Sequence, residues 1–547
     1  MPAGFLNWQQ LVLLSMIMDC TSTHIPHKET GYFSKIVLDY LTEEIPLKPF
    51  YQHPVSLQGM RDAIDARKQF STNRTLLVQE LQKQYADIST SEKVKENIQA
   101  LLDENTFTIV TAHQPNIFTG YLYFVYKILH TVKLAAELKL QIPDLNFVPV
   151  FYMGSEDADL EELGKIFMGG EKIVWDTKQK GAVGRMNTKG LEKIIHRLEG
   201  ELGVLQYGKE LIALLKECYN GKDNIQQSTF RLINTLFADY GVLVLIPDNG
   251  EFKKSMERVF EEDLFHQTAS AIVEQTIEKL SASYKVQANP RAINLFYLKD
   301  DIRSRLVEED GKYKVQDTAI EFTPEELKIE LKEHPERFSP NVILRGMFQE
   351  TILPNIAFIG GGGELAYWLE LKDLFQYYNI PFPVLVLRNS FLLVEKKWKD
   401  KADKLGFSVP ELFQEERLLM NELVKRDSSA QVHLTSEIRD TNAFYDHLKT
   451  LAGNINGSLQ VHVEALKTKS LKPLHELEKK MLRAEKRKFS EQEQQLQQIK
   501  SILFPNNNLQ ERIDNFMPYY AKYGPAFIDM LYKHSLSLRM EFIVVEI

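Results

Sequence analysis

"FTIVTAHQPNIFTG", Phe107 to Gly120, followed by "YLYFVYKILHTVKLAAELK", decides the fold. The run Phe107-Thr108-Ile109-Val110 is short, apolar and β-branched, which fits a buried strand. The segment after Gly120 carries apolar residues at three and four spacing, which fits a helix. A His, two amides and a Pro stand where strand hands over to helix. In an open parallel sheet, ligands sit at the carboxyl ends of the strands, where the next helix offers free N–H groups that favour anions. His113, Gln114 and Asn116 occupy that exit, and Thr119-Gly120 lead into the helix. Their side chains can donate hydrogen bonds to a phosphate or carboxylate. The competing reading is an Asn/Pro loop with a helix-capping His.

Working outward, the same texture recurs in "NFVPVFYM", "GVLVLIPD", "NIAFIGG" and "PFPVLVLR", each followed by turn residues and separated by helical stretches. That alternation predicts an α/β core over about residues 106–390, with a parallel sheet covered on both faces. Two insertions interrupt it. One, near 177–235, is helical; the other, near 285–340, is a small antiparallel patch with Asp310-Gly311 as a hairpin turn. Residues 18–105 read as an N-terminal helical segment. After Ser390 no further strands are expected. Residues 391–503 read as helices: Phe444, Leu448, Leu451, Ile455, Leu459, then Leu474, Leu477, Met481, and Leu496, Ile499, Leu503 mostly step by three and four. This resembles a coiled-coil seam, interrupted at Pro473 and at Gly453/Gly457. A plain bundle within the chain and a seam between chains fit it equally. Residues 504–547 read as a segment returning to the core.

The 547 residues exceed one compact core. The first seventeen, residues 1–17, form a doubtful leader: an apolar stretch too short to span a membrane, with no preceding Lys or Arg. Met18 reads as the true start, and a buried N-terminal helix is the alternative. A formal net charge of −9 gives no footprint for nucleic acid, and no segment is apolar enough to cross a membrane. Two distant cysteines, Cys20 and Cys218, argue against disulfides and point to a reducing cytoplasm.

The other strand exits are polar too. "FYMGSEDADLEELGK" places Glu156, Asp157, Asp159 and Glu161 within six residues. Dipole preference at a helix start explains one or two of them. The cluster can hold Mg²⁺ or a substrate ammonium, or be a solvated helix start. "NIAFIGGGGELAYW" puts Gly360 to Gly363 before Glu364 and Tyr367, letting backbone approach a ligand. "VLVLRNSF" adds Arg388, Asn389 and Ser390. HExxH, G-x-S-x-G and metal-spaced Cys/His sets are absent from the sequence.

Together, "HQPNIFTGYLYFVYKI", "VPVFYMGSEDADLEEL", "NLFYLKDDIRSRL", "SPNVILRGMFQETILPNIAFIGGGGELAYWLELKDLF", "PVLVLRNS" and "LFPNNNLQERIDNFMPYYAKYG" resemble the bacillithiol biosynthesis cysteine-adding enzyme family (BshC), from about Gly31 to the C-terminus. The resemblance implies a Rossmann-like core related to class I aminoacyl-tRNA synthetases and nucleotidyltransferases, two connecting insertions, and a coiled coil that makes a homodimer. It implies that L-cysteine is joined to the amine of glucosaminyl-malate. An activated cysteine carboxyl is needed, with ATP and Mg²⁺ the usual source, through an acyl-adenylate or an acyl-phosphate. On this reading His113, Gln114 and Asn116 meet the activated group. Glu156, Asp157 and Asp159 bind an ammonium or Mg²⁺. Thr119, Gly120, Gly361, Gly362, Glu364 and Tyr367 shape the substrate pocket, and Arg345 and Arg388 suit the malate carboxylates. Arg388, Asn389, Ser390, Phe504 and Gln510 resemble parts of a second, adenine-nucleotide-binding cavity at the coiled-coil root. The sequence departs from the family twice: His113-Gln114 stand where many members have Gln-Gln, and Ala158 stands where a His usually separates two Asp residues. Any proton-transfer role of that His is lost here. Two other readings stay open: a nucleotidyltransferase for another small molecule, and a non-catalytic dimeric binding protein of thiol metabolism.

Overall fold

The computed structural model describes residues 20–429 and 433–547. The expectation that translation starts at Met18 falls outside them. The five apolar runs form one sheet: β1 (Thr106–His113), β2 (Asn146–Met153), β3 (Leu243–Leu245), β4 (Asn355–Gly360) and β5 (Val384–Leu387). Their order is β5-β4-β1-β2-β3, and every neighbouring pair is parallel. From β1 the chain moves to β2 on one side; from β4 it moves to β5 on the other. That reversal opens a crevice between β1 and β4, as in Rossmann-type sheets. His113 lies opposite Met153, and Gly360 opposite Leu387, so the strand ends share one edge.

The strands read as continuous apolar runs because both faces are buried. Ile109, Ile359, Val384 and Val386 pack against Met60 and Ile64 of the helix Leu57–Lys68, and against Leu134 and Leu138 of α1 (Tyr123–Gln141). Val110, Phe358, Leu385 and Leu387 face the main core, which includes Trp368 of α2 (Gly362–Trp368).

Both insertions are present. Between β2 and β3 lie a hairpin, Lys165–Met168 with Glu171–Val174, and helices Leu191–Leu202, Gly208–Cys218 and Ile225–Phe237. Between β3 and β4, the antiparallel patch is a full five-stranded sheet spanning Leu295 to Pro340. Asp310 and Gly311 turn its hairpin with φ of 54° and 74°, the left-handed pair that a tight hairpin needs.

The strands do not stop at Ser390. Ser390–Val394 pairs in parallel with Phe542–Glu546, which pairs antiparallel with Thr21–Ile25. This three-stranded sheet ties both ends of the described chain to the domain boundary. It packs through Leu392, Val394, Phe542 and Val544 on Leu412, Leu419, Leu423, Leu496, Ile499 and Leu503. The last three residues therefore belong to a core at the root of the arm, not to an exposed seam. Beyond the root, helices Thr435–Ile455 and Ser458–Lys486 pack on each other, joined at Asn456-Gly457. The second helix runs unbroken through Pro473, contrary to the expected interruption there. No helix among the described residues is long and apolar enough to cross a membrane.

α1 carries a buried histidine that locks domains together. His130 Nε2 donates to the Ser537 carbonyl at 2.7 Å, and its Nδ1 accepts from Asn389 N–H at 3.1 Å. The second bond requires the neutral ring, because a protonated Nδ1 cannot accept. Burial holds the imidazole at about 4 against 6.5 in the unfolded chain. The unfolded ring binds a proton first as pH falls. This contribution to stability is therefore complete above pH ~6.5 and fades toward pH ~4, amounting to on the order of 3 kcal/mol. Urea unfolding of the wild type should weaken across that window, and His130→Gln should flatten the loss. An equal pH dependence in the variant would refute it.

Candidate functional site

A cavity of about 360 Å³ opens at the crevice between β1 and β4, near the lower end of small-molecule site sizes. Every strand of the parallel sheet contributes through the loop after it: His113 and Gln114 after β1, Gly154 to Asp157 after β2, Pro247 after β3, Gly361 to Glu364 after β4, and Arg388 after β5. The antiparallel insertion adds Arg303, α2 adds Tyr367, and the residues after the insertion add Arg345. The C-terminal segment adds Arg512.

At the first corner, His113 is held edge-on between Tyr123 and Phe124, at 5.4 and 5.5 Å between ring centres. Its Nε2 is buried without a partner. Burial, then Lys127, Arg388 and Arg345, keep its pKa well below the ordinary value, so the ring is neutral. Gln114 donates to Asp157 Oδ2 at 3.1 Å, joining the first two strand exits.

Asn116, Thr119 and Gly120 do not line the cavity. They shape the corner from beneath. Phe118, Thr119 and Gly120 all have positive φ, of 50°, 68° and 67°. For Phe and the β-branched Thr that backbone is strained, by roughly 1–3 kcal/mol each. A Cβ at Gly120 would stand 2.9 Å from Asn116 Cβ. Asn515 holds the turn by donating to the carbonyls of Phe118 and Gly120 at 3.0 and 2.5 Å.

The acidic corner is not a single cluster. Glu156 is buried and ion-paired with fully buried Lys253. Lys253 also stands 3.9 Å from Asp248, which takes a two-pronged bond from Arg185 at 2.6 and 2.7 Å. Asp159 is exposed and caps the short helix Leu160–Leu163, accepting from Glu162 N–H at 2.9 Å. It does not reach the cavity. Asp157 does, and so does Glu162, whose carboxyl is pushed up by burial and by Asp159 and Asp157. Among the described residues no group of three or more His, Cys, Asp or Glu can hold a metal ion.

At the third corner Glu364 reaches back to Gly361 N–H at 2.8 Å and pairs with Lys127 Nζ at 2.6 Å. Lys127 also donates to the Ala112 carbonyl at 2.5 Å. Arg345 donates to the Tyr367 hydroxyl. Gly361 and Gly362 border the cavity. A Cβ at Gly362 would crowd Val37, at 3.0 Å from its Cγ2.

The fourth corner is a joint between domains. Arg388 pairs with Glu511 at 2.6 Å and lies 4.9 Å from the Tyr123 ring centre. Ser390 donates to Glu511 at 3.2 Å, and Asn389 accepts from Leu536 N–H at 2.9 Å. Gln510 brackets Leu393, accepting from its N–H and donating to its carbonyl at 3.0 and 3.2 Å. Phe504 stacks on Tyr32 in the root core. Of these five residues only Arg388 lines the cavity, and its charge is already neutralised.

The sequence reading passes over Lys127, Arg303 and Arg512. Lys127 had a visible signal, a single charge inside an otherwise apolar helical stretch. The two arginines lie in segments that carry the family resemblance, where nothing local marks them.

An open Rossmann-type sheet with a charged cavity at its switch point, extended by a helical arm, defines a two-domain α/β protein. Comparison narrows the class. The chain belongs to the bacillithiol biosynthesis BshC family: residues 18–389 match its N-terminal Rossmann-like domain and residues 391–547 its C-terminal coiled-coil domain. A relative from Flavobacterium johnsoniae is 41% identical over 97% of this chain and 100% of its own. One from Christiangramia forsetii is 39% identical over 95% and 98%. Both bear the name "Putative cysteine ligase BshC".

The Lys127–Glu364 pair gives a stability test. Glu364→Gln leaves a buried ammonium without its counter-charge and should cost about 3–5 kcal/mol. Adding Lys127→Met should recover much of that loss, giving a coupling well above 1 kcal/mol in a double-mutant cycle. Additive urea midpoints would show that the pair carries no such weight.

Proposed function

We propose that the chain is a ligase that forms an amide bond between the carboxyl of L-cysteine and the amine of glucosaminyl-malate, in bacillithiol biosynthesis. The observation that carries this reading is the polarity of one cavity. Asp157 and Glu162, from the β2 exit, bring carboxylates to its lining, and Arg303, Arg345, Arg388 and Arg512 bring guanidinium groups. An acceptor that carries both an amine and two carboxylates matches those two kinds of group. The family membership and the relatives' names support the same reaction.

Amide formation in water needs an activated carboxyl; an adenine nucleotide with Mg²⁺ would supply it, and as the amine forms the C–N bond the C–O bond to the nucleotide or phosphate would break, releasing that anion. The residues present suit such an anionic group. His113 is a neutral donor with a free Nε2. A proton added to it would join three nearby cations, so it serves as a hydrogen-bond donor and not as a base. Arg345 sets a positive potential where negative charge develops on the carbonyl oxygen. Gln114 fixes Asp157 toward the acceptor amine. Asp157 and Glu162 are the carboxylates on that side for the proton the amine sheds. Positioning and electrostatics supply the rate.

Asp157→Asn keeps shape and removes one charge. It should lower acceptor affinity or turnover about tenfold or more, the effect of one charge-assisted contact. The melting temperature should stay unchanged. Amide formation at the wild-type rate in the purified variant would remove Asp157 from the site.

We also propose that the arm makes a homodimer. Phe444, Leu451 and Ile455 are exposed on one arm helix, and Leu459, Leu466 and Leu477 on the other. Spacings of seven and four, or seven and eleven, keep each set on one face of its helix. Six exposed apolar side chains in two stripes fit a second copy better than solvent. Changing Leu459, Leu466 and Leu477 to Asp together should give a monomer by light scattering. A persistent dimer would place the interface elsewhere.

A further inference from the structure

Four arginines line the cavity: Arg303, Arg345, Arg388 and Arg512. Only Arg388 has a carboxylate within ion-pair distance among the described residues. Arg345 is tied to the Tyr367 hydroxyl. Arg303 donates to Ser339 Oγ at 3.3 Å and lies over the Phe296 ring. The Arg512 side chain makes no hydrogen bond and no ion pair at all with the described residues. A guanidinium offers five donors in a rigid fork. Leaving that fork idle while it is drawn from water costs free energy that a bound anion offsets.

Arg512 is also aimed. It ends a turn of 3-10 helix, Gln510–Arg512. The two residues before it are fixed, Gln510 on Leu393 and Glu511 on Arg388 and Ser390. After it, Asp514 accepts from Leu122 N–H through its carbonyl at 2.8 Å, and Asn515 holds the first corner. A backbone anchored on both sides presents the guanidinium to the cavity at little entropic cost. Its close neighbour Arg388 has its charge spent on Glu511, so Arg388 is the weaker candidate for an anionic ligand.

We infer that Arg512 is a specificity-determining residue that works with Arg345 to take the two carboxylates of the acceptor. It thereby makes the site select an amine bearing a dicarboxylate over one bearing a single carboxylate. This rests on the ligase reading above. Two planar forks lining one cavity suit a malyl group, whose carboxylates each accept a two-pronged bond. One of the forks comes from the C-terminal segment, so the Rossmann core alone lacks half of the clamp.

The test compares the full-length wild type, Arg512→Gln and Arg512→Lys on two acceptors: glucosaminyl-malate, and glucosaminyl-lactate, which lacks one carboxylate. Binding is read by calorimetry and turnover as kcat/KM. The wild type should prefer the malate conjugate. Arg512→Gln should lose about tenfold or more on that conjugate and little on the lactate conjugate, collapsing the preference. KM for cysteine should hold. Arg512→Lys, which keeps the charge without the fork, should recover part of the preference and confirms that the site still folds. A preference left intact in Arg512→Gln, or equal losses on both acceptors, overturns the inference while the ligase reading stands. A wild type that binds and joins neither conjugate overturns the ligase reading, and this inference with it.

Discussion

The ion pair between Lys127 and Glu364 is the constraint on which the site depends. β1 and β4 are neighbours whose following connections leave in opposite directions, so nothing in the sheet closes the gap at their ends. Lys127 spans it. Its ammonium holds the last carbonyl but one of β1, at Ala112, and the Glu364 carboxylate on α2. Glu364 in turn holds Gly361 N–H at the β4 exit. An ammonium in an apolar helix pays heavily for desolvation, and burial lowers its pKa. The carboxylate and carbonyl offset that cost only if both strand ends stay where they are. The pair therefore fixes the width of the crevice, and the same ammonium helps keep His113 neutral.

A second set of polar contacts fixes the domains. The stretch Gln510 to Asn515 touches the strand Ser390–Val394, the β5 exit and the turn before α1. Glu511 is fully buried, and without Arg388 it would be an unpaired charge. Asn515 holds a turn with three successive positive φ values. Core and arm are thus matched by charge and by strain as well as by apolar contact.

This explains how much of the structure is legible in the sequence. Runs such as "FTIVTA" and "NIAFIGG" are buried on both faces, so composition alone marks them as strands. "TSTHI" carries only one buried residue, Ile25, and reads as part of a helical segment; it is a strand only through its partner Phe542–Glu546. Pro473 reads as a break, yet the helix holds because its neighbours are packed along the hairpin. The site was half visible. Strand exits are polar both where they border the cavity and where they meet another domain. His113, Gln114 and Asp157 do the first, whereas Asn389, Ser390 and Gln510 do the second. Both jobs call for the same hydrogen-bonding side chains, and only tertiary contacts separate them.

The charge layout shows why these two jobs sit side by side. A cavity with several arginines repels itself, and a folded chain tolerates that only if some of the charge is compensated from within. Glu511 neutralises Arg388 and Glu364 neutralises Lys127, which leaves Arg303, Arg345 and Arg512 as the cavity cations without a carboxylate at ion-pair distance among the described residues. If Glu511 did not arrive with the C-terminal segment, Arg388 would face the cavity with its charge unpaired. The segment that supplies this carboxylate also supplies Arg512, one residue later. A single turn of chain thus cancels one positive charge and installs another, so the free guanidinium is carried by the C-terminal segment and not by the strand exit.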